Sequence, residues 1–166
     1  MELDQNPLEI VARYQSKAPV DLDAIARDLC IPVAYINLGA DIAGRIMRDT
    51  RKNSRSGFII QINSTQHTNR QRFTLAHELA HYVLHRDLIE SGIIDDTMYR
   101  SGMSSYLETQ ANRMAADILM PVRLVKKMYE QLRSVDMMAS KFGVSRSAMD
   151  IRLSGISGLV GQSELF

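Results

Sequence analysis

His77-Glu78-Leu79-Ala80-His81-Tyr82-Val83-Leu84-His85 (HELAHYVLH) places three of the chain's four histidines at four-residue intervals, with a glutamate directly after the first. On a helix of 3.6 residues per turn, side chains four apart stand one above the other on the same face. His77 and His81 can therefore reach one zinc ion at about 2.0 to 2.1 Å, with Glu78 turned toward water bound to that ion. His85 continues the spacing but lies about 12 Å along the axis from His77, so a straight helix cannot bring all three to one ion. It is assigned to a supporting or cleft-lining place. Winding the helix at about 100° per residue puts His81, Thr74, His85 and Glu78 within about 100° of His77. Leu79, Val83, Ala76, Ala80, Phe73 and Leu84 fill the opposite sector, so one face is core and the other carries the chemistry.

The surrounding sequence supplies boundaries for this helix. Thr68-Asn69-Arg70-Gln71 reads as a capping box that opens it, and Ser105-Tyr106-Leu107-Glu108 as another that opens a helix running to Met120, before Pro121. Between them, residues 87–104 show no clear period and read as a long loop. Upstream, Asn6-Pro7 starts one helix and Asp21 caps a second over residues 22–29. Residues 31–38, 42–49 and 57–63 are short runs rich in Ile, Val and Phe and read as strands. After Pro121 the pattern is helical throughout. The expected architecture is α+β, a small antiparallel or mixed sheet with helices at both ends, divided into a domain over residues 1–120 and a helical segment over 121–166.

Two histidines leave zinc short of a catalytic set, which usually has three protein ligands and one open position. In ETQANRMAADILMP (residues 108–121), Glu108 falls between Ala115 and Leu119 on the apolar side of its helix, where a carboxylate needs a partner. Asn112, one turn later, can orient that carboxylate or the second nitrogen of a histidine. Spacing alone leaves two roles open for Glu108, because it is also the third residue after Ser105 in the capping box. Asp87, Asp95 and Asp96 are looser alternatives, and Asp117 projects toward solvent.

The totals exclude several classes. With 20 Lys+Arg against 19 Asp+Glu the net charge is +1, so the molecule as a whole does not attract nucleic acid or an anionic membrane. Cys30 is the single cysteine and cannot form an internal disulfide. No apolar run approaches the roughly 18 residues of a membrane span, and MELDQNPLEI lacks a basic-then-apolar leader pattern. A reducing, cytoplasmic setting is expected.

RQRFTLAHELAHYVLH, followed after a variable loop by ExxANRMAADILMP and preceded by SGFIIQIN, resembles the ImmA/IrrE family of zinc metallopeptidase-like proteins, over roughly residues 19–121. The resemblance implies a zincin-like core holding Zn2+ through His77, His81 and Glu108, with Glu78 as the catalytic residue. It further implies a cytoplasmic endopeptidase that cleaves helix-turn-helix repressors of the Xre type, releasing stress, prophage or mobile-element genes. Ala80 stands where the family usually has glycine, Gln110 where an acidic residue is frequent and Met114 where phenylalanine is common; none of these removes a ligand. An oxyanion donor is expected from Tyr99, Tyr106 or His85. Residues 57–63 are the candidate edge strand for an added substrate strand, and the turn carrying Arg51, Lys52 and Arg55 reads as a solvated hairpin loop.

Ala139, Gly143 and Ser145, followed by Met149 and Leu153, have the rhythm of a helix-turn-helix. Residues 121–155 carry a mild positive excess, and DNA would be met by Ser145, Arg146 and Ser147, with Asp150 unfavourably close to phosphates. Packing and partner contact are therefore weighted above DNA reading. The competing functional reading is a DNA-binding or partner-sequestering regulator that keeps the metallopeptidase fold without proteolysis.

Overall fold

Asn6 opens helix α1 (Pro7–Tyr14) by accepting the Leu8 N–H at 3.0 Å, and Pro7 occupies a first-turn place that needs no donor. The computed structural model describes residues 6–91 and 103–156. Asp21 caps α2 (Leu22–Asp28) in the same way, taking the Ala24 N–H at 2.9 Å. The three strands then follow, β1 (Val33–Ile36), β2 (Gly44–Arg48) and β3 (Phe58–Asn63), all inside the stretches expected from sequence.

They form one sheet in the order β1-β3-β2, with β1 parallel and β2 antiparallel to β3. The sheet is therefore mixed, and β3 is its centre. This corrects the expectation that residues 57–63 form an edge. Phe58, Ile60 and Ile62 are all buried, and a strand with so apolar a face is best covered when both of its edges are paired. The edges are β1 and β2, and β2 is the one packed against the histidine helix. The turn joining β2 to β3 is pinned by the Asp49 carboxylate, which accepts the N–H groups of Arg51 and Ser54 at 3.1 and 2.6 Å. Its basic side chains stand on an ordinary exposed hairpin turn.

Helix α3 (Thr68–Glu90) carries the histidine stretch. Its cap is His67, whose Nδ1 accepts the Asn69 N–H at 3.2 Å, and Thr68 is already helical. Gln71 donates to the carbonyls of Ser64 and Gln66, so no capping box forms. The helix continues to Glu90, past the point at which a loop was expected. Helix α4 (Met103–Leu119) begins before Ser105, whose carbonyl accepts the Thr109 hydroxyl at 2.7 Å within the helix. Ser105 is thus not a cap, and Glu108 is free of that role.

The remaining helices are α5 (Val122–Leu132), α6 (Val135–Phe142) and α7 (Arg146–Gly155). Val125, Phe142, Met149 and Leu153 belong to the same buried cluster as Ile25, Ile60, Leu79 and Ile118. Polar ties reinforce that continuity. Arg72 of α3 donates to the Val20 and Gly143 carbonyls at 2.9 and 3.2 Å, joining the start of the chain to the turn after α6. Arg152 of α7 bonds the Met120 carbonyl and pairs with Asp117 at 2.7 Å, so Asp117 faces a partner as well as solvent. Among the described residues there are seven helices and one three-stranded sheet, and no helix is long and apolar enough to cross a membrane.

Candidate metal centre

α3 lies between α4 and the β2–β3 side of the sheet, so its polar face is covered from both directions. Gly44 sets how closely β2 can approach. A methyl group at that position would sit 2.5 Å from Thr74 Cγ2 and 2.9 Å from the Gln61 carbonyl. Only a residue without a Cβ fits there, and the result is an edge strand laid directly over Glu78. The Ile46 N–H of that strand hydrogen-bonds the Glu78 carboxylate.

On the α4 side three ligand atoms converge. His77 Nε2 and His81 Nε2 are 3.0 Å apart, and the Glu108 oxygens lie 3.2 and 3.1 Å from them respectively. All three atoms fall within 4.8 Å of one another. Asn112 Oδ1 is 2.9 Å from His77 Nδ1. An amide oxygen can only accept, so His77 carries a proton on Nδ1, and whenever the ring is neutral it turns a lone pair toward the Glu108 carboxylate. Lone pairs facing one another at these distances repel unless a proton or a metal cation lies between them. Two imidazoles and one carboxylate are a donor set suited to Zn2+, and the site fits that ion.

The electrostatics follow from the same geometry. Bonds donated by His77 and His81 when their rings carry a proton hold the Glu108 carboxyl well below the usual carboxylate range. Burial would lower His77, but the neighbouring Glu108 and Glu78 carboxylates outweigh it and raise the ring above its ordinary value. For His81 burial prevails and the value falls. Burial pushes Glu78 up to about 7, only partly offset by His77. A cleft of about 840 Å³ opens onto these groups, bounded by β2, Arg70, Phe73 and Asn112.

Not every candidate reaches the cleft. His85 is buried behind His81, with Nδ1 3.0 Å from His81 Nδ1, and Tyr106 is exposed on α4, where its hydroxyl accepts from Gln110. Neither lines the cleft, so neither is placed to stabilise an oxyanion there. Tyr99, Asp95 and Asp96 lie outside the described residues, and Asp87 sits on the last turn of α3 apart from the ligand cluster. Sequence reasoning missed Gly44, the Ile46 N–H, Arg70 and the partner role of Gln110. Only Gly44 had a local signal, as a small residue opening an otherwise bulky strand.

Residues 28–154 match the family model described as the IrrE N-terminal-like domain, Peptidase M78. The radiation response metalloprotease IrrE of Deinococcus radiodurans is 36% identical over 94 residues, covering 54% of this chain and 29% of that protein. The protein of the same name from Deinococcus deserti is 39% identical over 67 residues, covering 40% of this chain and 24% of its own length. The matched stretches thus span less than a third of either relative. A Mycobacterium tuberculosis transcriptional regulator shares the fold, with a TM-score of 0.63 over 92% of this chain and 46% of that one, at 23% identity. With the match running through both histidines, Glu108 and the helices beyond them, the chain belongs to the Peptidase M78 family of IrrE N-terminal-like domains.

Proposed function

We propose that this chain is a zinc-dependent endopeptidase acting in the cytoplasm, with His77, His81 and Glu108 as ligands and Glu78 as the catalytic base. The observation that carries the reading is the convergence of those three ligand atoms beside a buried carboxylate. Zinc, when bound, supplies Lewis acidity and a water acidic enough to ionise near neutral pH. The chain's own groups do the rest. Glu78 takes a proton from the attacking water and returns it to the departing amine, general-base and then general-acid work that suits a carboxyl poised near neutrality. The Ile46 N–H holds that carboxylate in place. Asn112 fixes the proton of His77 on Nδ1 and leaves Nε2 for the metal.

The peptide would lie along β2. Ala43 O accepts the Asn63 N–H and Asp49 N–H donates to Gly57 O, so alternate residues Gly44, Ile46 and Arg48 turn their main-chain groups away from β3. With the Ile46 N–H taken by Glu78, an extended substrate segment can pair with the remaining groups of that outer edge, gaining affinity from main-chain bonds. The substrate class suggested by the family is a helix-turn-helix repressor of the Xre type. Glu78→Gln should keep the metal and the fold while abolishing cleavage of such a repressor, tested with one encoded beside this gene. Undiminished cleavage by that variant would remove the mechanism.

The second reading is a regulator that binds DNA or a partner through α6 and α7. It is favoured by the form of that pair: Gly143 ends α6 in the left-handed region at φ +64°, and Ser145 caps α7 by accepting the Ala148 N–H at 3.1 Å. Against DNA reading, Arg146 is paired with Asp136 at 2.6 Å, and Ser145 shares a bond with Ser147. The side chains that would reach bases already have partners.

A further inference from the structure

Helix α3 contains neither proline nor glycine, the usual causes of a sharp break, yet its backbone leaves the helical region at one residue. That residue is His85, at φ −129° and ψ 19°. Its imidazole is only 5% exposed, and both ring nitrogens are satisfied. Nδ1 meets His81 Nδ1 at 3.0 Å, and Nε2 meets Gln110 Oε1 at 3.0 Å. Gln110 Nε2 in turn donates to the Tyr106 hydroxyl at 3.1 Å, with the amide oxygen pointing at the histidine.

The orientation of the Gln110 amide sets the polarity of this chain of bonds, since a hydroxyl such as that of Tyr106 can donate or accept. The Gln110 oxygen is an acceptor, so His85 must donate from Nε2, and its Nδ1 is left as a lone pair. That lone pair accepts the proton of His81 Nδ1. His81 Nε2, the atom 3.1 Å from Glu108, is then bare and aimed at the ligand cluster. Reversing any bond in the series would put a proton on the ligand nitrogen.

We propose that His85 is a positioning residue that, together with Gln110, fixes the tautomer and ring orientation of the metal ligand His81 through a His81–His85–Gln110–Tyr106 relay. The idea rests on the metal reading above and deepens it. An imidazole takes the place in which a carboxylate or a main-chain carbonyl commonly supports a ligand histidine.

The test measures zinc affinity of the full chain by competition with a chromophoric chelator, the visible spectrum of the cobalt(II) form, and histidine tautomers by nitrogen NMR. His85→Ala should weaken zinc about 10- to 100-fold, and Gln110→Leu about 10-fold, at the lower end of the range for supporting residues. Gln110→Glu, which still accepts from His85 Nε2, should stay within about threefold of the parent. In the zinc form His85 should carry its proton on Nε2, and Gln110→Leu should redistribute it between the two nitrogens. A residue that merely filled space would leave that tautomer unchanged. If His85→Ala does not fold, Gln110→Leu, at a half-buried position of α4, carries the test alone. His77→Ala separates the two levels of inference: zinc retained by that variant sinks the metal centre itself. Zinc lost there but bound normally by both the His85 and Gln110 variants, with an unaltered tautomer, overturns the relay only.

Discussion

The seam between α3 and α4 and the pair α6–α7 each carry a local sequence signature, but the structure treats their polar groups in opposite ways. In the seam, groups from two helices separated by a long stretch of chain are brought together, with His81 buried and Glu108 about half-exposed, so that lone pairs oppose one another whenever the rings are neutral. In the α6–α7 pair, Ser145, Arg146 and Ser147 are exposed and satisfied by neighbours a few residues away. A polar cluster that costs energy to assemble points to a ligand, whereas one that closes on itself is accounted for by local structure.

The contrast can be broken most forcefully through the apolar side of α6. Phe142 is fully buried in the cluster it shares with the sheet and α3. Phe142→Ala should cost about 3 to 5 kcal/mol and lower one common unfolding transition, read by chemical denaturation with probes at both ends of the chain. Separate transitions would show residues 121–156 to be an independent unit, as the division at residue 120 expects. The next largest effect belongs to the seam. Glu108→Ala should weaken zinc by more than about 100-fold, beyond the loss typical of supporting residues, while the metal-free protein unfolds as the parent does. Parent-like zinc affinity would mean that the convergence is not a ligand set.

Why some of this was legible in the sequence and some was not follows from the range of the interactions. The caps at Asn6 and Asp21 depend on bonds across two or three residues and were correctly placed. The amphipathic division of α3 and the inward face of α4 that carries Glu108 depend on helical periodicity, which is also local. The His67 cap displaced Thr68, a matter of which of two adjacent side chains reaches the N–H groups first. The order of strands was not legible, because nothing within residues 57–63 states whether two neighbours or one will pair with them. The partner of His85 was not legible for a related reason. A straight helix keeps it from the ligand cluster and gives it no partner behind His81, but the break in α3 and Gln110 on a different helix supply one.

Gly44 sharpens the comparison at smaller scale, because it fixes β2 against the seam. Gly44→Ala places a methyl group 2.5 Å from Thr74 Cγ2, and relief requires β2 or α3 to shift. The expected cost is about 1 to 3 kcal/mol in stability. Under the endopeptidase reading, cleavage should fall more than zinc affinity does, since the strand edge and the Ile46 N–H move while the ligands stay. Zinc affinity that fell in step with cleavage would argue against β2 as the substrate edge.

The smallest expected effect lies at Arg146 and Asp136, whose side chains are 64% and 67% exposed. An ion pair so open to water contributes little, and Asp136→Ala should change stability by less than about 1 kcal/mol. Its value lies in what it releases. If α7 were a DNA-reading helix held in check by Asp136, freeing Arg146 should produce duplex binding that weakens steeply with salt, since each phosphate contact releases counterions. With Asp150 exposed on the same helix and Ser145 committed to its cap, Asp136→Ala is instead expected to bind a duplex no better than the parent across a salt titration. A steep salt-dependent gain would make the self-satisfied surface a masked one, and would move the regulator reading ahead of the peptidase for this half of the molecule.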